Sequence, residues 1–498
     1  MAAFAMVWVI YRAHLQSVTV DEADTYLFFV QPHWASQWYP SSNNHLLNSL
    51  LMRFFVSLFG LSHLTLRAPA LIGGAVYIVA IFRLCLLLTN QELYVFPIFV
   101  AFVYNPFVMD FMVAARGYGL ALGFLMLAVF FIARQIVANE PRAERALKRD
   151  CVLASICMGV SFTANFSFAY ADVCCLFLFW LWACRRIWID SGRSYSSAQR
   201  WARVLAWCAA PGLLAVFLIG GSVVANFPKS ELYYGARSLS DTWDMIIKAS
   251  FSGLNDEIVN PLLKRVLEAV LPYLPWVAIA LCGLQIALFG WRRNRFKDPR
   301  QVWLAIFAGA AVLLTLSLHW LQFKIAGLPL PYKRTSIFFV PLSMLTWAAV
   351  TCAPRHGRMG RVLQGLSLLA LFVGATCFVG SLRRMYFFEW RSAADVRAAY
   401  PVIQEVARRY GVHEIPTAWD YADPLTFYRV YFHEQNLDVF HWALPPPSGK
   451  TVYVLPDDQF QDFIRKEGLH AVYHGENTSL TILARGEPPS SGPAQTAK

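Results

Sequence analysis

The sequence predicts a polytopic α-helical membrane protein with a small α/β domain at its C-terminal end. Of its 498 residues, 57% are hydrophobic and only 15% are charged. The apolar residues fall in long blocks, such as "LALGFLMLAVFFIA" and "LQGLSLLALFVGATCFVG". Such blocks match a hydrocarbon core of roughly 30 Å spanned at about 1.5 Å per residue. From residue 385 onward the composition turns polar, and amphipathic and alternating runs replace the blocks. The net charge of +12 fits the basic inner loops of a membrane protein. No basic patch interleaved with aromatics lies outside the apolar blocks, so nucleic acid is excluded as a partner.

The spans are expected, roughly and in order, at 2–19, 68–89, 93–110, 118–138, 151–167, 168–186, 203–224, 269–290, 302–323, 336–352 and 362–382, about eleven in all. The first is read as a retained span. It lacks the basic start and small-residue cleavage site of a signal peptide. Between spans one and two, "QPHWASQWYP" offers aromatic turns suited to headgroup depth, and "HLLNSLLMRFFVSLFG" a helix lying in the interface plane. The loops "NEPRAERALKRD", "RRIWIDSGRSYSSAQR", "WRRNRFKDPR" and "APRHGRMGR" are strongly basic and share one side in this register. That side is cytoplasmic. The first loop and the C-terminus then lie outside the cytoplasm.

The membrane domain is placed at 1–384, the outer domain at 385–485 and a disordered tail at 486–498. In the outer domain "RSAADVRAAYPVIQEVARRYG", "DPLTFYRVYFHE" and "DDQFQDFIRKEG" read as helices, and "LDVFHW", "TVYVLP", "HAVYH" and "SLTILA" as strands. The ten cysteines lie in or beside apolar spans at spacings that suit packing, with no metal or disulfide pattern.

Charge at membrane depth is costly and marks function. Asp21, Glu22 and Asp24 crowd three carboxylates into four residues just past the first span. Asp110, Arg116, Asp172, His319, Lys324, Lys333 and Arg334 also cluster toward the outer ends. Arg83 and Arg134 are placed to snorkel to the inner face. Arg12, inside the first span, has no reading from the sequence. Carboxylates to deprotonate a nucleophile and cations to hold a phosphate suggest a polar cavity at the outer surface.

The segments "VDEADTYLF", "NNHLLNSLLMRFFVSLFGLSHLTLRAPALIGG" and "YNPFVMDFMVAARGYGLALGFLMLAVF" resemble the GT-C glycosyltransferase superfamily. The nearest branch is that of the protein O-mannosyltransferases and the lipid A aminoarabinose transferase. The likeness covers residues 1 to 140, with a weaker match in "LPLPYKRTSIFFVPL". Where many relatives carry His-Pro-Pro-Leu, this chain has His45, Leu46, Leu47 and Asn48.

The resemblance implies a GT-C fold, a bacterial inner-membrane location and a sugar donor on a polyprenyl phosphate. The acceptor is a hydroxyl on a glycan, lipid or protein. It makes Asp21 the general base of an inverting displacement and puts Arg116 on the donor phosphate. Tyr118, Asn44, His45, Lys333, Arg334 and Asp24 complete the substrate-binding set. Glu22 either orients Asp21, holds a divalent cation or raises the pKa of Asp21, and the sequence leaves these three open. No other cofactor is implied. Two rivals remain, a transporter or flippase of a lipid-linked sugar and a non-catalytic scaffold.

Overall fold

A peptide group left unpaired in hydrocarbon costs several kcal/mol, so the apolar blocks have to close their hydrogen bonds internally as helices. The computed structural model describes residues 1–138, 144–190, 197–251, 253–256, 258–291, 300–353 and 357–487. Parts of all four basic loops, and the tail from 488, lie outside the described residues.

The helices are α1 (Ala2–Leu15), α2 (Val20–Asp24), α3 (Leu46–Phe59), α4 (His63–Leu88), α5 (Glu92–Val103), α6 (Pro106–Phe111), α7 (Tyr118–Ile136), α8 (Glu144–Ala164), α9 (Ala169–Asp190) and α10 (Ser197–Ala225). There follow α11 (Leu239–Phe251), α12 (Pro261–Val270), α13 (Leu274–Trp291), α14 (Arg300–Ala326), α15 (Phe339–Cys352) and α16 (Arg358–Gly380). Among the described residues eight helical segments are long and apolar enough to cross a membrane. They are α4, α7, α9, α10, the run of α12 and α13, α14, α15 with its preceding turn, and α16.

Three of the expected spans take another form. α1 has only 14 residues. α8 opens on charged residues from Glu144 to Asp150. The third expected span splits into α5 and α6. Asn105 ends the first part by capping the second, accepting from the backbone N–H of Phe107 at 3.1 Å and of Val108 at 3.3 Å. Pro106 sits at the first helical position, where its missing N–H costs nothing.

Two compact units emerge. The first comprises Met1–Tyr11, Gln37–Leu51 and Arg67–Leu382. In it α7 packs on α8, and α8 on α10. α4 and α7 touch backbone to backbone. A Cβ on Gly73 would lie 2.3 Å from the carbonyl carbon of Gly119, which only glycine permits. Arg134, expected to snorkel to the inner face, is held by a carboxylate of the next helix. It pairs with Asp150, which is fully buried and also takes a hydrogen bond from Gln135. A buried carboxylate needs such partners.

The second unit comprises Arg12–Ser36, Met52–Leu66 and Arg383–Lys498. Its later helices are α17 (Val396–Tyr410), α18 (Trp419–Tyr431) and α19 (Gln461–Glu467). The strands β1 (Val452–Pro456), β2 (Leu469–His474) and β3 (Leu480–Arg485) form an antiparallel sheet in the order β1-β3-β2. Tyr453, Leu455, Leu469 and Leu483 make its core, covered by Phe460, Phe463 and Ile464. The expected strand "LDVFHW" forms only an isolated bridge, Thr417 to Trp442. Prolines at 445, 446 and 447 follow it and cannot donate to a ladder.

Candidate active site

The expected site residues divide between the units. Asp21, Glu22 and Asp24 belong to the second. Thr19 starts α2 and accepts from the Glu22 N–H at 3.2 Å, while the Glu22 carboxylate accepts from the Thr19 N–H at 3.0 Å. This is a capping box, and Glu22 is fully buried in it. The spacing Thr19-Val20-Asp21-Glu22 carries that signal, which a reading by charge alone passes over. The box fixes the turn that bears Asp21.

Asp21 is buried. Its Oδ2 accepts from the indole Nε1 of Trp390 at 3.0 Å, and its carbonyl accepts from Thr25 Oγ1 at 2.9 Å. After Asp24 the chain widens into a π turn over Thr25–Val30, a form frequent at functional sites. α18 supports this stretch. Tyr428 Oη accepts from the Val18 N–H at 3.1 Å, and Tyr26 meets the ring of Phe427 edge-on at 5.5 Å.

Loss of the cap tests whether this frame matters. Thr19→Ala is expected to cost about 1 kcal/mol of stability and several-fold in turnover, and Thr19→Ser to restore both. Thermal melts and turnover of the two variants check it.

Asn44, His45, Arg116, Tyr118, Lys333 and Arg334 belong to the first unit. Gly117 precedes α7 with a φ of 73°. A Cβ there would meet the Ala164 carbonyl at 2.3 Å and His45 Cβ at 2.9 Å, so the position admits only glycine. This turn delivers Arg116, which is 1% exposed. Its guanidinium donates to the Asn43 carbonyl at 3.2 Å and to Asn43 Oδ1 at 3.1 Å. Asn48 donates to the Ala115 carbonyl at 3.1 Å and holds the same turn.

The loop before α3 is fastened from both sides. Asn44 Nδ2 donates to the carbonyls of Gln37 at 2.6 Å and Tyr39 at 2.9 Å, and Asn44 Oδ1 accepts from Ser49 at 3.0 Å. Asn44 therefore shapes the loop. Glu231 accepts from the Ser42 N–H and from Ser41 Oγ, both at 2.9 Å. The Ser42 N–H is the chief cause that holds the Glu231 carboxyl below its usual range.

His45 packs edge-on against Tyr118 at 5.2 Å. Burial, then the charges of Arg116 and Arg334, push its pKa well below the usual value. His45 is therefore neutral in the fold. The stability its burial contributes is present above the ordinary pKa near 6.5 and is lost as pH falls below it. Its Nε2 is buried and has no hydrogen-bond partner among the described residues. Arg334 lies over the ring of Tyr234 at 5.0 Å, and Lys333 over Tyr332 at 5.8 Å. Arg116 and Arg334 thus act electrostatically on His45, and their positive charge makes its surroundings favourable to an anion.

No protein-family model matches the chain, and no curated protein matches it. Solved structures do. Similar to it are ArnT from Cupriavidus metallidurans bound to undecaprenyl phosphate, with 12% identity, 97% of this chain and 96% of that chain covered, and a TM-score of 0.49. Its apo state gives 13%, the same coverage and 0.44. The oligosaccharyltransferase of Archaeoglobus fulgidus, in complex with Zn and sulfate, gives 14% identity, 85% of this chain and 60% of that one, and 0.41.

Among the described residues no group of three or more His, Cys, Asp or Glu side chains is gathered to hold a metal ion. The acidic stretch at Asp21 supplies no such set. Asp110 and Asp172 are buried on α6 and α9. His319 meets Tyr170 edge-on at 4.7 Å and stacks on Phe338 at 6.1 Å.

Two residues of the second unit were not legible as site residues. Arg12 donates to the Tyr386 carbonyl at 3.3 Å and lies over the Phe387 ring at 5.6 Å, which accounts for its burial in α1. Trp390 is the other, and its only sequence signal is a tryptophan closing the aromatic run "YFFEW" past the last span.

Proposed function

We propose that this chain is an integral-membrane glycosyltransferase. It moves a sugar from a polyprenyl-phosphate carrier to a hydroxyl acceptor outside the cytoplasm, with inversion at the anomeric carbon. The observation that supports the reading is Arg116, 1% exposed on the turn that enters α7, beside the buried His45–Tyr118 pair in a unit of long apolar helices. Charge is retained in such surroundings when it has a ligand to hold, and a lipid phosphate supplies both the anion and the apolar tail.

In the reaction the acceptor oxygen bonds to the anomeric carbon and its proton passes to Asp21. The bond from that carbon to the phosphate oxygen breaks, and its electron pair leaves with the phosphate. One base suffices for a single displacement. The leaving group is a stabilised anion, so it needs cations more than an acid. Arg116 grips it with a planar two-pronged donor, and Arg334 and Lys333 add charge. Glu22 orients Asp21 by capping its helix. Asn44, His45, Tyr118 and Asp24 shape the donor and acceptor contacts.

Donor cleavage with water as acceptor tests this without knowledge of the natural acceptor. Purified protein is given synthetic undecaprenyl-phosphate hexoses and pentoses. Release of free sugar and undecaprenyl phosphate is expected. Movement of intact donor between leaflets without cleavage would favour a flippase.

Sidedness is a second test. Nine of the ten native cysteines are buried, which keeps background labelling low. A cysteine introduced near 145 is expected to be protected from an impermeant reagent in intact cells, and one near 460 to react. The reverse pattern would overturn the orientation.

A further inference from the structure

Trp390 holds one oxygen of the carboxylate on which the proposed reaction depends. Its Nε1 lies 3.0 Å from Asp21 Oδ2, and both residues are buried. An indole N–H only donates, so Trp390 brings no competing charge or proton acceptor to the base. A carboxylate turns about a broad two-fold torsion. A hydrogen bond to Oδ2 restrains its plane.

The indole is itself fixed. Phe387 meets it edge-on at 5.9 Å, and Arg12 lies over Phe387. The Tyr386 carbonyl accepts from Arg12 at 3.3 Å and from Gln16 at 3.1 Å. Ser17 Oγ donates to the Ala394 carbonyl at 2.6 Å and accepts from the Arg397 N–H at 3.1 Å. Residues 386–397 are thus fastened to the stretch Arg12–Ser17, which leads directly into Thr19 and Asp21. Farther along, buried Asp395 accepts from the Asn477 N–H at 2.8 Å and from Thr478 Oγ1 at 2.8 Å. That ties the same segment to the turn between β2 and β3. Base and holder share one frame.

We propose that Trp390 is a positioning residue, whose N–H orients the Asp21 carboxylate for the acceptor hydroxyl. The inference rests on the reading of Asp21 as general base.

Two variants test it. Trp390→Phe removes the donor and keeps an aromatic ring. Benzothienylalanine at 390, introduced by nonsense suppression, keeps the indole shape with sulfur in place of the N–H. Each is assayed as full-length protein for cleavage of synthetic undecaprenyl-phosphate hexoses and pentoses, beside Asp21→Asn. The expected result in both is a fall of roughly ten- to hundredfold in kcat, the loss of one hydrogen bond to a charged group. KM for the donor should stay within about twofold. An unchanged kcat, or a parallel rise in KM, would overturn the positioning role. If Asp21→Asn is inactive while both 390 variants keep the wild-type rate, only this inference falls. If Asp21→Asn turns over normally, the reading of the base falls with it.

Discussion

Asp21→Asn is expected to lower sugar transfer by about 10²–10⁴-fold, the usual worth of a general base. Binding of undecaprenyl phosphate should stay within about twofold. The amide preserves the shape of the side chain, and its oxygen can still accept from Trp390. What it cannot do is take a proton at neutral pH. The capping box uses Thr19 and Glu22, not the Asp21 side chain, so the substitution leaves the start of α2 closed. A stable variant with wild-type turnover would remove Asp21 from the mechanism. Turnover and carrier binding, measured on the same preparation, separate chemistry from affinity.

Arg116→Ala should have the next largest effect, lowering kcat/KM by about 10²–10³-fold, as expected for one donor lost from a developing anion. Both kcat and donor affinity should fall, because the phosphate gains charge as the glycosidic bond breaks. Arg116→Lys should lie between the two. An ammonium is a point charge and does not reproduce the planar fork that reaches both the Asn43 carbonyl and Asn43 Oδ1. The same fork has to be matched by two phosphate oxygens when the donor binds. If steady-state kinetics and carrier binding are both unchanged in Arg116→Ala, Arg116 only holds the Asn43 loop, and Arg334 and Lys333 become the leading phosphate ligands.

The membrane helices were legible because apolar composition alone dictates helix in hydrocarbon. So were α3, α17, α18 and α19, whose periodicity is local. The break between α5 and α6 is written in Asn105 and Pro106, and the cap of α2 in Thr19 and Glu22. Both need only neighbours in sequence to be understood. Contacts of long sequence separation were not legible. Asp21 and Trp390 stand 369 positions apart, and Arg12 and Tyr386 stand 374 apart, so nothing local in either stretch announces the other. The same limit hid the partner of Arg134, the carboxylate of Asp150 on the next helix. "LDVFHW" alternates like a strand, but a strand also needs a neighbour, and the proline run denies it one.

The most direct test of the central claim is the anomeric configuration of the sugar released from a synthetic undecaprenyl-phosphate donor. It is read by NMR in the first minutes, before mutarotation. A single displacement with Asp21 as base predicts an anomer opposite to that of the donor, formed together with undecaprenyl phosphate and lost in Asp21→Asn. Release of the same anomer, or inverted product formed equally well by Asp21→Asn, would contradict it.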